Sequence, residues 1–166
     1  MALIERRIEI AASADRVYAV SQDYAVRYDW DPFPERIQVV GDAAAPLAVG
    51  TLVRVRNKFG LRMLVRFVQL KPPTHAAIAM VSGPWFLRKF AGSWIFQPLD
   101  PRRTDARFRY SLSARPRWLG WAIEPLAARY FDAVVRRRLR GLKAYCEREP
   151  EVLLPTRRLD SDVADS

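Results

Sequence analysis

The chain is short of the residues on which most hydrolytic and metal chemistry depends. It holds one cysteine, Cys146, and one histidine, His75. A lone cysteine excludes an internal disulfide framework and any multi-cysteine metal site, and one residue of each kind gives no zinc signature. His75 follows Pro72-Pro73-Thr74 at the start of a strand with no motif around it, and reads as a surface residue. Cys146 has no local pattern of a base partner. Asp29 and Asp31 flank Trp30 but form no glycosidase motif. Glycine is scarce, at seven residues, and no glycine-rich phosphate loop is present. No apolar run approaches the length that spans a bilayer. The opening Met1-Ala2-Leu3-Ile4-Glu5-Arg6-Arg7 lacks the apolar centre of a signal peptide. The expectation is a soluble, cytoplasmic protein with no metal and no cofactor.

What is present is a basic, globular chain. Its 166 residues suit one domain with a sizeable core. Half are hydrophobic and 28 % are charged, which is a globular rather than a disordered balance. The net charge is +10, and residues 151–166 hold two arginines against four acids, so the rest carries +12. Such a charge favours anionic partners: acidic small molecules, anionic membrane surfaces or nucleic acid. No internal repeat is visible.

Along the chain, Leu3 to Ala11 reads as a first strand, rich in Ile with charges at alternate positions. Ser13 is placed to cap a helix that runs to about Val20, with Asp15 in its first turn. A second short helix is expected from Asp23, ended by Trp30-Asp31-Pro32-Phe33-Pro34, since each proline disfavours helix in the residue before it. From Ile37 the period becomes two. Val53, Val55 and Asn57 alternate with Arg54, Arg56 and Lys58; Met63, Val65 and Phe67 alternate with Arg62, Leu64 and Arg66. That is a hairpin with one apolar and one mostly basic face. Thr74 to Val81 is a strand of unclear facing. Phe90, Gly92, Trp94 and Phe96 then share a face, as do Ala106, Phe108, Tyr110 and Leu112. From Pro125 a long helix runs through Glu147, with Ala127, Tyr130, Phe131, Val134, Val135, Leu142 and Tyr145 on one side. Arg138 projects from the middle of that apolar side. Six strands in a meander, with helices segregated, predict α+β with an antiparallel sheet.

Four segments carry a family resemblance. Ala12-Ser13-Ala14-Asp15-Arg16-Val17-Tyr18, Tyr28-Asp29-Trp30-Asp31-Pro32-Phe33, Gly92-Ser93-Trp94-Ile95-Phe96 and Leu142-Lys143-Ala144-Tyr145-Cys146-Glu147 stand in the order seen in the START-like superfamily, also called SRPBCC or Bet v 1-like. The chain resembles it over about residues 3 to 148, and within it is most similar to the polyketide cyclase/dehydrase and lipid-transport group. Gly83-Pro84-Trp85 leading to Gly92-x-Trp94-x-Phe96-x-Pro98-Leu99 is also similar to the coenzyme Q-binding and ribosome-association toxin branch, which the residues around Trp30 match less well. The resemblance implies a helix-grip fold: a curved antiparallel sheet of about seven strands, two short helices after the first strand, and a long C-terminal helix over an apolar cavity. It implies a domain at 1–149; the polar residues 150–166 that follow, acidic at their end, read as a flexible tail.

The candidate ligand-binding residues are Trp30, Phe33, Met63, Phe67, Trp94, Phe96, Phe108, Tyr110, Tyr130, Phe131, Val134 and Arg138. The plain reading of the aromatics is core packing; the functional one is a cavity wall that offers stacking surface to a lipid, quinone or polyketide. Arg138 either snorkels to water at the sheet's edge or finds a partner in Glu124, Asp31 or a ligand carboxylate. Trp30, Asp31 and Phe33 form a packed corner with Asp31 in a turn, or a gate at the cavity mouth. Trp85 and Phe86 carry the same ambiguity, and exposed aromatics at a mouth would dip into a membrane. The arginines of the hairpin and of the helix's outer side are a solvated surface or a dock for lipid headgroups or RNA.

Three functions fit. The first is a module that binds a hydrophobic small molecule in the cavity. The second is a cyclase or aromatase-like enzyme in which Tyr110, Tyr130 and Arg138 are the catalytic candidates, polarising carbonyls or shuttling protons. The third and weakest is ribosome or RNA association through the basic surface.

Overall fold

A computed structural model of the chain describes residues 1–32, 34–42, 44–57, 59–115, 118 and 120–148, with the side chains of 34 and 35 excepted. Phe33 and the acidic tail expected at 150–166 lie outside the described residues. The strands are β1 (Ala2–Ile10), β2 (Pro34–Val39), β3 (Leu52–Asn57), β4 (Arg62–Lys71), β5 (His75–Ser82), β6 (Leu87–Asp100) and β7 (Arg103–Ala114). The helices are α1 (Ala14–Gln22), α2 (Arg27–Trp30) and α3 (Gly120–Arg148).

The seven strands form one antiparallel sheet in the order β1-β7-β6-β5-β4-β3-β2. The meander from β2 to β7 follows chain order, and β1 joins it at the β7 edge. Period-two alternation decides the facing. On β6, Phe90, Gly92, Trp94 and Phe96 are buried, and on β7 so are Ala106, Phe108, Tyr110 and Leu112. Helix α3 lies across β1 and β7, with α1 and α2 packed against it. Val135, Arg138, Leu139, Leu142 and Cys146 are its buried residues beyond the first turn. This is the helix-grip architecture.

Two helix starts differ from the expected ones. Helix α3 begins at Gly120, so that Pro125 lies inside it. Glu124 accounts for the longer helix. Its carboxylate accepts a hydrogen bond from the Ala114 backbone N–H at 3.2 Å and from the Met1 ammonium at 2.9 Å. These bonds tie the start of the helix to the ends of β7 and β1. Helix α2 begins at Arg27 rather than Asp23, because the Asp23 carboxylate accepts from the Ala25 N–H at 2.8 Å and holds a local turn. The Ser13 cap forms as expected, with its hydroxyl accepting from the Arg16 N–H.

Two glycines let these layers approach. A Cβ on Gly141 would lie 2.0 Å from the Trp30 carbonyl oxygen, so only glycine permits α2 to rest on α3 there. A Cβ on Gly92 would lie 3.1 Å from the Tyr110 ring, which therefore lies over the β6 backbone.

Candidate functional site

Helical spacing brings Phe131, Val135, Arg138 and Leu142 of α3 to the side that meets the sheet. Arg138 does not snorkel to water: it is 6 % exposed. Its Nη2 lies 2.8 Å from Asp31 Oδ2, and its Nη1 donates a hydrogen bond to the Tyr110 hydroxyl. The guanidinium also sits over aromatic faces, 4.6 Å from the Phe108 centroid and 5.5 Å from that of Trp94. Such placements attract a cation to the ring quadrupole. Asp31 is correspondingly more than a turn residue, since its side chain is wholly buried.

A second arginine completes the cluster. Arg27 Nε donates to the same Asp31 oxygen at 2.7 Å, and its Nη1 donates to the Ser21 carbonyl. Its guanidinium carbon is 4.7 Å from the Trp30 ring. Two guanidiniums thus share one carboxylate, and the formal charge of the trio is +1. Burial lowers the Arg27 pKa from its usual value; at Arg138 burial acts the same way, but Asp31 and Tyr110 more than offset it and the pKa rises. Arginine starts so high that both stay protonated. Burial also raises the Tyr24 and Tyr110 hydroxyls, against the lowering influence of the arginines. Tyr110 is therefore a hydrogen-bond donor at neutral pH and not a base.

The space beside this cluster is divided. An outer chamber of about 330 Å³ lies between the α3 start and the sheet, with Asn57, Phe59 and Leu61 on one side, Pro84 and Phe86 on another, and Leu126, Tyr130 and Phe131 from the helix. Its lining is almost wholly apolar. Val55 and Met63 also line an inner chamber of about 60 Å³, where Tyr24, Arg27, Tyr110 and Arg138 meet Phe90 and Val65. Arg27, Arg138 and Tyr24 border a third space of about 40 Å³ with Phe67, Trp94 and Phe108. An apolar vestibule therefore leads to a small cationic end.

The expected ligand-binding residues distribute unevenly over these spaces. Met63, Tyr130 and Phe131 line the outer chamber, and Tyr110 and Arg138 the inner one. Phe67, Trp94 and Phe108 border the third. Trp30 and Phe96 are buried packing residues, 6.1 Å and 5.7 Å from Trp94 between ring centroids. Trp30 is thus a packed corner and not an exposed gate. Val134 packs against the core. Of the three catalytic candidates, Tyr110 and Arg138 are in direct contact. Tyr130 stands apart, eight residues earlier on α3, or about 12 Å along the axis. It is 40 % exposed and packs against Phe59.

Some residues at the site went unmarked in the sequence. Arg27 was legible in principle, because Arg27 and Asp31 have the i,i+4 spacing of a helical ion pair. Phe59 and Leu61 flank Gly60 at a hairpin tip, where polar residues are usual. Cys146 is buried, and desolvation pushes its pKa up to about 12, so it is no nucleophile at neutral pH. Among the described residues no cluster of His, Cys, Asp or Glu is arranged to hold a metal ion.

Solved structures of the same architecture include a START superfamily protein from Mycobacterium smegmatis, with a TM-score of 0.73 at 13 % identity, covering 88 % of this chain and 97 % of that one. The Zhui aromatase/cyclase from Streptomyces sp. R1128 has a TM-score of 0.67 at 22 % identity, over 89 % and 94 % of the two chains. Norcoclaurine synthase from Thalictrum flavum, in complex with dopamine and hydroxybenzaldehyde, has a TM-score of 0.65 at 16 % identity, over 89 % and 88 %. At these identities the likeness is one of fold. Among curated proteins none matches the chain in sequence. The profile of the family described as polyketide cyclase / dehydrase and lipid transport matches residues 1–147. With that match over most of its length, the chain belongs to the polyketide cyclase/dehydrase and lipid-transport family.

Proposed function

We propose that the protein binds a hydrophobic small molecule that bears a carbonyl or carboxylate at one end. The apolar body occupies the outer chamber, and the polar end reaches Arg138, Tyr110 and Arg27. The observation that carries this reading is the polarity gradient: a chamber of about 330 Å³ with apolar walls adjoins a small one lined by two arginines and two tyrosines. That outer volume lies at the lower end of the range typical of small-molecule sites. The +1 charge of the Arg27–Asp31–Arg138 trio favours an electron-rich group over a cation. Arginine offers such a group paired donors in fixed geometry.

A cyclase-like activity is a second reading, favoured by one feature. The Tyr110 hydroxyl accepts from Arg138 and keeps its own proton to give. Donors placed in this way stabilise charge that develops on a carbonyl oxygen. The same site lacks a ready base among the described residues, since Asp31 is held by both arginines. Binding is accordingly the better supported function.

Native mass spectrometry of gently purified protein tests the binding reading. The expected spectrum contains an adduct that disappears on denaturation and is recovered as an apolar compound with a carbonyl or carboxylate. Protein that stays bare after incubation with fatty acids, quinones and aromatic polyketides would rule the proposal out.

A further inference from the structure

We propose that the end of the molecule around the cavity mouth docks onto anionic lipid bilayers, with tryptophans inserted at headgroup depth. The inference stands on the surface alone and does not depend on what the cavity holds. Three of the five tryptophans in the chain are on this surface: Trp85, Trp118 and Trp121 are 75 %, 73 % and 79 % exposed. Phe59 at 74 % and Leu126 at 71 % accompany them. Chain topology brings these residues to one end. Phe59 is in the turn between β3 and β4, Trp85 in the turn between β5 and β6, and Trp121 and Leu126 in the first two turns of α3. Phe59, Phe86 and Leu126 line the same chamber, and the ring of Trp85 is 6.0 Å from that of Phe86. The Arg115 N–H donates to the Phe86 carbonyl, which brings the end of β7 beside the same turn.

Removing large apolar side chains such as these from water is favourable, yet the fold leaves them out. They project from separate tips rather than forming one flat face. Tryptophan, with an apolar body and one N–H, is the residue enriched at membrane–water interfaces.

Charge selects the occupant. On one flank, Arg36 is directly opposite Arg56, and Arg56 is directly opposite Arg62, across β2, β3 and β4. These arginines and Arg54 share a groove on the outer side of the sheet, one row behind Phe59 and Leu61. Like charges placed directly opposite are destabilising. Arg36, Arg54 and Arg62 make no ion pair among the described residues. On the far half of the sheet, by contrast, exposed arginines meet carboxylates: Arg109 with Glu5, Arg103 with Glu9 and Asp100, Arg107 with Asp105. On the other flank of the mouth, Arg88 and Lys89 share a shallow groove with Trp121. Apolar tips between two basic flanks match a bilayer whose headgroups are anionic. A second copy of the chain would bring the same basic flanks together and is disfavoured. Single-stranded RNA would use the arginines and aromatic rings, but it has no use for Leu126 and Leu61.

Co-sedimentation with vesicles tests the proposal. The expected result is binding to phosphatidylcholine vesicles that contain phosphatidylglycerol, little binding to phosphatidylcholine alone, and release by high salt. Tryptophan emission should shift to the blue on binding. The double variant Trp85→Ser/Trp121→Ser and the triple variant Arg36→Gln/Arg62→Gln/Arg88→Gln should each lose at least about tenfold in vesicle affinity, while far-ultraviolet circular dichroism stays unchanged. Arg138→Met, inside the cavity, should dock as the wild type does, which separates this inference from the proposed ligand. Equal binding to neutral and anionic vesicles would overturn it. So would affinity for single-stranded RNA with none for vesicles, or a lipid-free dimer in which the tryptophans are shielded from a soluble quencher.

Discussion

Asp31 and Arg138 have unequal roles, although each is a buried charge in one cluster. Removing Arg138 leaves Asp31 paired with Arg27, a neutral couple at 2.7 Å. What is lost is one of the two ion pairs to Asp31, the partner of the Tyr110 hydroxyl and the cation over the Phe108 and Trp94 rings, but the remaining carboxylate keeps a partner. Removing the carboxylate instead leaves two guanidiniums buried together. Breaking a buried pair in this way costs about 3–5 kcal/mol. Thermal or urea unfolding should therefore rank Asp31→Asn well below Arg138→Met in stability. Equal losses, or a milder effect of Asp31→Asn, would mean that the carboxylate is not what holds the arginines. The fold should thus tolerate the loss of Arg138 better than that of Asp31. Arg138 was conspicuous in the sequence because one cation interrupts an apolar helical stripe. Asp31 was one of the candidate partners there, but a residue 107 positions away could not be chosen over Glu124, and the contact with Tyr110 of β7 was not legible.

At the scale of elements, most of the architecture could be read from periodicity. The strands that carry Trp94, Phe108 and Val65 alternate cleanly, and the inward face they predict is the buried one. The helix starts were less legible, since Asp23 and Glu124 act through hydrogen bonds to backbone and chain terminus that no propensity encodes. Part of the outer chamber's wall was missed for a similar reason: Met63, Tyr130 and Phe131 were expected to line a cavity, but the residues facing them were not. Those residues, Phe59, Leu61 and Pro84, lie at turns, and turns have no period to follow. Gly141 is the joint between elements. Alanine there should gain about 1 kcal/mol in helix propensity. Its Cβ, however, would meet the Trp30 carbonyl at 2.0 Å and push α2 off α3. Overpacking of that kind costs about 1–3 kcal/mol. Gly141→Ala should therefore lower the melting temperature and loosen the Asp31–Arg138 contact. A rise in melting temperature would show that α2 does not rest on α3 as described.

For the whole molecule, the polarity of the interior and the charge of the exterior point the same way. Both would suit an amphipathic, electron-rich partner: an apolar chamber beside buried arginines, and apolar tips flanked by arginines. Family membership fits a carrier or an enzyme equally well, because one fold serves many sites. The distinction rests on chemistry near Arg138. Calorimetric titration with a medium-chain carboxylic acid and with its matching primary alcohol measures that chemistry most directly. The account predicts that the wild type prefers the acid by about tenfold or more, the scale of a charge-assisted hydrogen bond, and that Arg138→Met binds both ligands alike. An acid preference that survives Arg138→Met in a folded protein would contradict it.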